Sequence, residues 1–116
     1  MIGYKVLNKE YNENRLYSFW IDLPTPVDYK VGEWTCQPSE DKPLFVYKSL
    51  ANQAEWWYGY EIYECEYIPS DVKEVRDIHP DYMCRRKPED YGAGTAFATK
   101  VKLLRKVSSD ELRRGR

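Results

Sequence analysis

The chain has 116 residues, 42% hydrophobic and 32% charged, with 18 basic against 19 acidic side chains and a formal net charge of −1. That length suits one domain with its own core, and the balance excludes a disordered chain. It also gives neither nucleic-acid binding nor acidic mimicry any support as a whole-surface property.

No apolar run is long enough for a membrane span, and the opening MIGYKVLNKEY lacks the apolar stretch of a secretion signal. Cys36, Cys65 and Cys84 are an odd, sparse set, read as free thiols of a reducing compartment, and the cytoplasm is expected. Eleven Tyr, four Trp and three Phe stand against two Met. Aromatic rings suit pleated, half-buried surfaces, so a strand-rich protein is predicted.

Residues 2–7 alternate Ile2, Tyr4 and Val6 with Gly3, Lys5 and Leu7, which predicts a short strand whose apolar face is the first set. The polar run 8–14 reads as a loop. Residues 16–21 read as a second strand, apolar on both faces, ended by Pro24 and Pro26. Residues 29–34 restart an extended edge segment with a bend at Gly32, and 37–43 form a surface loop. A brief buried strand is predicted over 44–47.

The clearest helix is predicted over residues 49–58. Ser49 is a natural N-cap, Leu50, Ala51, Ala54, Trp57 and Tyr58 form one stripe, and Gly59 stops it. Residues 61–68 read as a strand with Tyr63, Cys65 and Tyr67 on one face and Ile62, Glu64, Glu66 and Ile68 on the other. The stretch 69–88 is charged and irregular apart from a short strand at 72–75. Gly92-Ala93-Gly94 marks a turn. The closing strand points Phe97, Thr99, Val101 and Leu103 one way, and Ala98, Lys100 and Lys102 the other. Ser108-Ser109-Asp110-Glu111 reads as a capping box for a last helical turn.

Few residues point to chemistry. His79 and Cys84 lie near Asp77 and Asp81, but a single histidine does not supply the converging ligands zinc needs, so no metal is expected. A Cys–His pair would need Cys84 or Cys36 beside His79 and a third group to orient the base. Glu64 and Glu66 share a strand face at a spacing of about 7 Å, a separation that paired acid–base carboxylates use. Alternating charge on a solvated strand is the preferred reading, with Lys100 and Lys102 as cross-strand partners. Gly92-Ala93-Gly94-Thr95 resembles a phosphate-cradling fragment, but it precedes a strand where such loops open a helix. Trp56 faces away from the helical stripe and is the aromatic best placed for binding. Arg85, Arg86 and Lys87, with Arg113, Arg114 and Arg116, form the basic stretches that phosphates would seek.

The fragments YKVGEWT at 29–35, PLFVYKSLANQAEWW at 43–57, YEIYECEY at 60–67 and GTAFATKVKLL at 94–104 together resemble a family of small uncharacterised phage and prophage proteins. The middle section is also similar in layout to small ADP-ribosyltransferases of the rifampin-modifying kind. That likeness implies a nicotinamide pocket lined by residues 45–49, with Tyr47 stacking on a ring and Asp71, or Glu64, as the catalytic acid. Those enzymes grip NAD through a His-Gly-Thr on the first strand, where this chain has Tyr4-Lys5-Val6. The likeness therefore implies the fold more than the activity.

The expected architecture is α+β: a small, twisted, mostly antiparallel β core in one sheet or two, ADP-ribosyltransferase-like, with one main helix. Residues 1–107 form the domain, and 108–116 a short helical turn and basic tail. The resemblance implies a phage-type accessory protein in the host cytoplasm, without a cofactor, that binds a protein partner and inhibits a host enzyme or defence system. Trp56, Tyr47, Arg85 and Arg86 are its candidate binding residues. The alternatives are an NAD-using transferase through Tyr47, Asp71 and Glu64, and a nucleic-acid binder, less favoured, through the basic loop and tail.

Overall fold

A computed structural model of the chain describes residues 1–10, 15–18, 27–50, 60–79, 82–91, 94–108 and 110–111. Strand β1 (Ile2–Glu10) pairs with β2 (Arg15–Ser18), which pairs with β3 (Asp28–Tyr29). After a turn come β4 (Trp34–Cys36) and β5 (Leu44–Tyr47), then the long strands β6 (Glu61–Pro69) and β9 (Thr95–Lys106). Between those two lies a separate hairpin of β7 (Val75–His79) and β8 (Tyr82–Arg86), followed by a 3₁₀ turn, Pro88–Tyr91.

All these pairings are antiparallel, and they close on themselves. β6 pairs with β1 on one side and β9 on the other, β5 pairs with β9, and β5 returns to β1 through the bridge Tyr4↔Tyr47. The circuit β1–β6–β9–β5 is a small closed barrel, from which β2–β3 extend beyond β1 and β4 extends beyond β9. Closure leaves these strands without the open edges that flat sheets must protect.

Strand alternation explains the core. Lys5, Leu7, Tyr63, Cys65, Tyr67, Val101 and Leu103 are buried, and most join one interior cluster with Leu16, Tyr29, Leu44, Val46 and Ala98. Each fully enclosed Leu or Val side chain contributes roughly 1.5–3 kcal/mol. A smaller cluster lies outside the barrel, where Val6, Ile62 and Val107 are buried with Tyr4, Tyr47 and Leu50 packed against them.

Several expectations hold at the level of strands. β5 runs over 44–47 and β6 faces the predicted way, with Tyr63, Cys65 and Tyr67 inside. Gly32 turns the chain with φ +84° between β3 and β4. Ser108 and Glu111 make the capping box reciprocally, with Ser108 N–H donating to Glu111 Oε2 (2.8 Å) and Glu111 N–H to Ser108 Oγ (3.2 Å).

Others need correction. The inward face of β1 is Gly3, Lys5 and Leu7, because Tyr67 and Cys65 of β6 lie against that side, and Ile2 is left 54% exposed. β1 also continues through Glu10, where a loop was expected from residue 8. On β9 the alternation slips: Ala98 joins the interior with Val101 and Leu103, while Phe97 stacks on Phe45 at 5.2 Å outside that cluster. A register shift at Ile68/Pro69 accommodates the slip. The charged stretch after β6 contains the β7–β8 hairpin, with β7 beginning only at Val75. The helix predicted over 49–58 lies, from Ala51 on, outside the described residues, as do Trp56 and the tail from 112. Of the α+β expectation, the described residues carry the antiparallel β part.

Candidate functional site

Among the described residues the interior holds the Lys5 ammonium, with the Tyr29 hydroxyl and the Cys65 thiol enclosed in the same core. Lys5 Nζ donates to the Phe45 carbonyl (2.6 Å) and lies 5.2 Å from the Tyr29 ring centroid. Burial drives this ammonium down to about 8, the nearby Cys65 thiol partly opposing the shift. Burial pushes the Cys65 thiol up to about 11 and the Tyr29 hydroxyl well above its ordinary range. The Tyr29 hydroxyl is enclosed and has no hydrogen-bond partner among the described residues. With Lys5 only 7% exposed, these groups form part of the core, closed to solvent.

The outer surface is different. Across the strands runs a row of directly opposed residues, Trp34 on β4, Lys102 on β9, Glu66 on β6 and Ile2 on β1. Beside it lies a second row, Cys36, Lys100 and Ile68. Opposed residues share a face, and adjacent strands lie about 4.8 Å apart, so the first row spans roughly 14 Å. Trp34, Ile68 and Ile2 are 40%, 42% and 54% exposed, and Leu104 is exposed at the bulge beside them. Large apolar side chains gathered on one face mark an interaction surface, whereas the same residues scattered would not.

Trp34 organises the charged part of this face. The Lys100 and Lys102 ammonium groups lie 5.4 and 5.9 Å from its ring centroid. A cation that close is drawn to the negative face of the ring. Among the described residues neither lysine is ion-paired. Opposite Lys102 stands Glu66, but opposite Lys100 stands Ile68, so the pair leaves positive charge beside an exposed indole.

The predicted site residues are dispersed. Tyr47, Tyr4, Glu64 and Arg105 form a row through the pairings β5–β1–β6–β9, so Tyr47 and Glu64 share a surface with Tyr4 between them. Tyr47 is half-buried against the outer cluster. The Glu64 carboxylate is held by Arg105 Nη2 at 3.0 Å, and Arg105 Nη1 also donates to Glu111 Oε1 at 2.7 Å. Asp71 is exposed beyond the far end of β6; Glu64 and the strand end at Pro69 alone are separated by roughly 17 Å of extended chain. Arg85 stands opposite Arg76, and Arg86 opposite Val75, on the separate hairpin. Of the cross-strand partners expected for the two glutamates, Lys102 stands opposite Glu66 in register but forms no ion pair among the described residues, Lys100 stands opposite Ile68, and Glu64 is ion-paired with Arg105. Among the described residues no group of three or more His, Cys, Asp or Glu side chains is arranged to hold a metal, and no helix is long and apolar enough to cross a membrane.

Sequence reasoning passed over Trp34. The available signal was the alternation Trp34, Cys36 at an edge, set against Lys100 and Lys102 on a strand already read as two-faced. Searches of protein families, curated proteins and solved structures return no match to this chain.

Proposed function

We propose that this protein acts by binding a protein partner through the outer face of β4, β9, β6 and β1, without performing a reaction of its own. The observation that carries the reading is the collection of Trp34, Ile68 and Ile2 on that one face, with Lys100 and Lys102 around the indole. Interfaces concentrate their energy in a few aromatic anchors surrounded by contacts that exclude water. Trp34 has that position, and Ile68 and Ile2 extend the apolar area across the sheet. In the phage or prophage setting implied by the resemblance, a host enzyme or defence component is the partner such a face would serve.

The transferase reading has less support from the geometry. Glu64 is engaged by Arg105, and Asp71 lies away from Tyr47 and Glu64.

Affinity capture from host lysate tests the proposal with three immobilised proteins: wild type, Trp34→Ala, and Lys73→Gln, an exposed position off the face, as a control. The expected result is a partner retained by wild type and the control but lost with Trp34→Ala, while all three melt alike. An unchanged partner set with Trp34→Ala sinks the proposal.

A further inference from the structure

The β4 strand is an edge with usable backbone. Gln37 N–H donates to the Thr99 carbonyl at 2.8 Å. Alternation along an antiparallel ladder then makes Thr35↔Val101 a hydrogen-bonded pair and leaves Trp34 and Cys36 in the other kind of position. Their N–H and C=O groups therefore point away from β9. Among the described residues β4 pairs with β9 alone. Two donors and two acceptors thus line the edge next to the exposed indole, with the two unpaired ammonium groups above it.

We infer that β4 receives an extended acidic peptide segment of the partner, which adds to the sheet as a further strand. The inference rests on the proposed binding role of this face. A strand added at β4 would place alternate side chains on the same outer surface as Trp34 and Cys36. One of them would sit beside the indole, where Lys100 and Lys102 favour a carboxylate and Trp34 favours its apolar stem. The main-chain bonds supply register, and the charge supplies choice of partner.

A single-stranded nucleic acid would also use an aromatic ring and cations. It fits this surface less well. The cationic track is two lysines long, too short to follow a phosphate backbone, and the open backbone groups would go unused.

The test uses three probes against the full chain: a blocked decapeptide alternating Asp and Val, its Lys–Val counterpart, and a 15-residue oligothymidylate. Binding is followed by amide chemical shifts. The Asp–Val peptide should saturate, shift the Trp34 and Cys36 amides, and bind at least tenfold better than the Lys–Val peptide. Cys36→Pro removes an outward N–H without touching the β9 ladder, and should weaken binding roughly three- to tenfold, as loss of one hydrogen bond does. Methylating alternate amides of the peptide blocks strand addition without altering the protein, and should abolish binding even if the proline variant folds poorly.

If the methylated peptide binds as well as the parent, strand addition is overturned, while loss of binding with Trp34→Ala would leave the face itself in place. Equal binding of the Lys–Val peptide, tighter binding of oligothymidylate, or no binding of the Asp–Val peptide each overturns the acidic-segment assignment. The lysate comparison with Trp34→Ala then stands on its own.

Discussion

The ammonium of Lys5 is enclosed with one hydrogen bond, to the Phe45 carbonyl, and the Tyr29 ring beside it. No carboxylate is among the groups that set its proton affinity, so its charge is carried at a cost. The pH dependence has a definite sign. Unfolded, Lys5 keeps its proton up to its ordinary 10.5, but folded only to about 8. Between those values the unfolded chain binds more protons, and stability rises with pH. Cys65 works oppositely, since its thiol holds a proton to about 11 when folded and 9.0 otherwise, so its contribution is lost above 9. Tyr29, raised by burial, loses its share above its ordinary 10.0. Stability should therefore climb by about 1 kcal/mol between pH 7 and 9 and fall beyond. Urea denaturation across that range reads the rise, and a flat or falling curve would contradict it. Lys5→Met should remove the rise and stabilise the fold at pH 7 by about 1–3 kcal/mol. A destabilised Lys5→Met protein would mean that the hydrogen bond to Phe45 outweighs the cost of the charge.

The reach of the sequence differs from strand to strand. β6 was legible because both its faces obey alternation, with Tyr63, Cys65 and Tyr67 inside and Glu64, Glu66 and Ile68 outside. β1 was misread because a lysine counts as polar in any pattern, while here Lys5 is drawn inward by the Phe45 carbonyl and the Tyr29 ring. The β9 faces were half right, since a bulge changes which side an atom takes and leaves no mark in hydrophobic periodicity. Trp34 was passed over as a site because its lysine partners lie on a strand far away in sequence, so the signal shows only once the two strands are set side by side. Two glycines separate steric from conformational demands. A Cβ on Gly3 would lie 2.8 Å from the Tyr47 carbonyl oxygen and 2.9 Å from Tyr67 Cε1, so Gly3 permits the close approach of β5 to β1. Gly3→Ala should cost about 1–3 kcal/mol by overpacking. Gly32→Ala meets no atom within 4 Å but must hold φ +84°, and should cost about 1 kcal/mol. Chemical denaturation ranks the two, and an equal or reversed order would remove the close-packing argument at Gly3.

At the scale of the molecule, closure of the barrel is uneven, and its weakest seam can be located. β6 is paired from Glu61 to Glu66 with β1 and from Tyr63 to Pro69 with β9, so its central amides and carbonyls are held from both sides. β5 meets β9 over four residue pairs but β1 only at Tyr4↔Tyr47. The β7–β8 hairpin stands as a two-stranded sheet of its own, and such ribbons are marginally stable without a face to pack on. Opening free energies follow local pairing and burial, so different strands should report different values. Native-state amide exchange should find the β6 amides slowest, approaching the global unfolding free energy. The outward amides of Trp34 and Cys36 and those of the β7–β8 hairpin should exchange fastest. Loss of the β1–β5 seam requires breaking the Tyr4↔Tyr47 bridge and the Lys5 Nζ bond to the Phe45 carbonyl, so the Tyr47 amide region should open below the global value, and Gly3→Ala should lower it further while leaving β6 the best-protected strand. Uniform protection across β5 and β6 would mean that the closed circuit opens only as a whole. An added partner strand along β4 should slow the Trp34 and Cys36 amides in particular, which links the exchange pattern of the free protein to the surface proposed for its function.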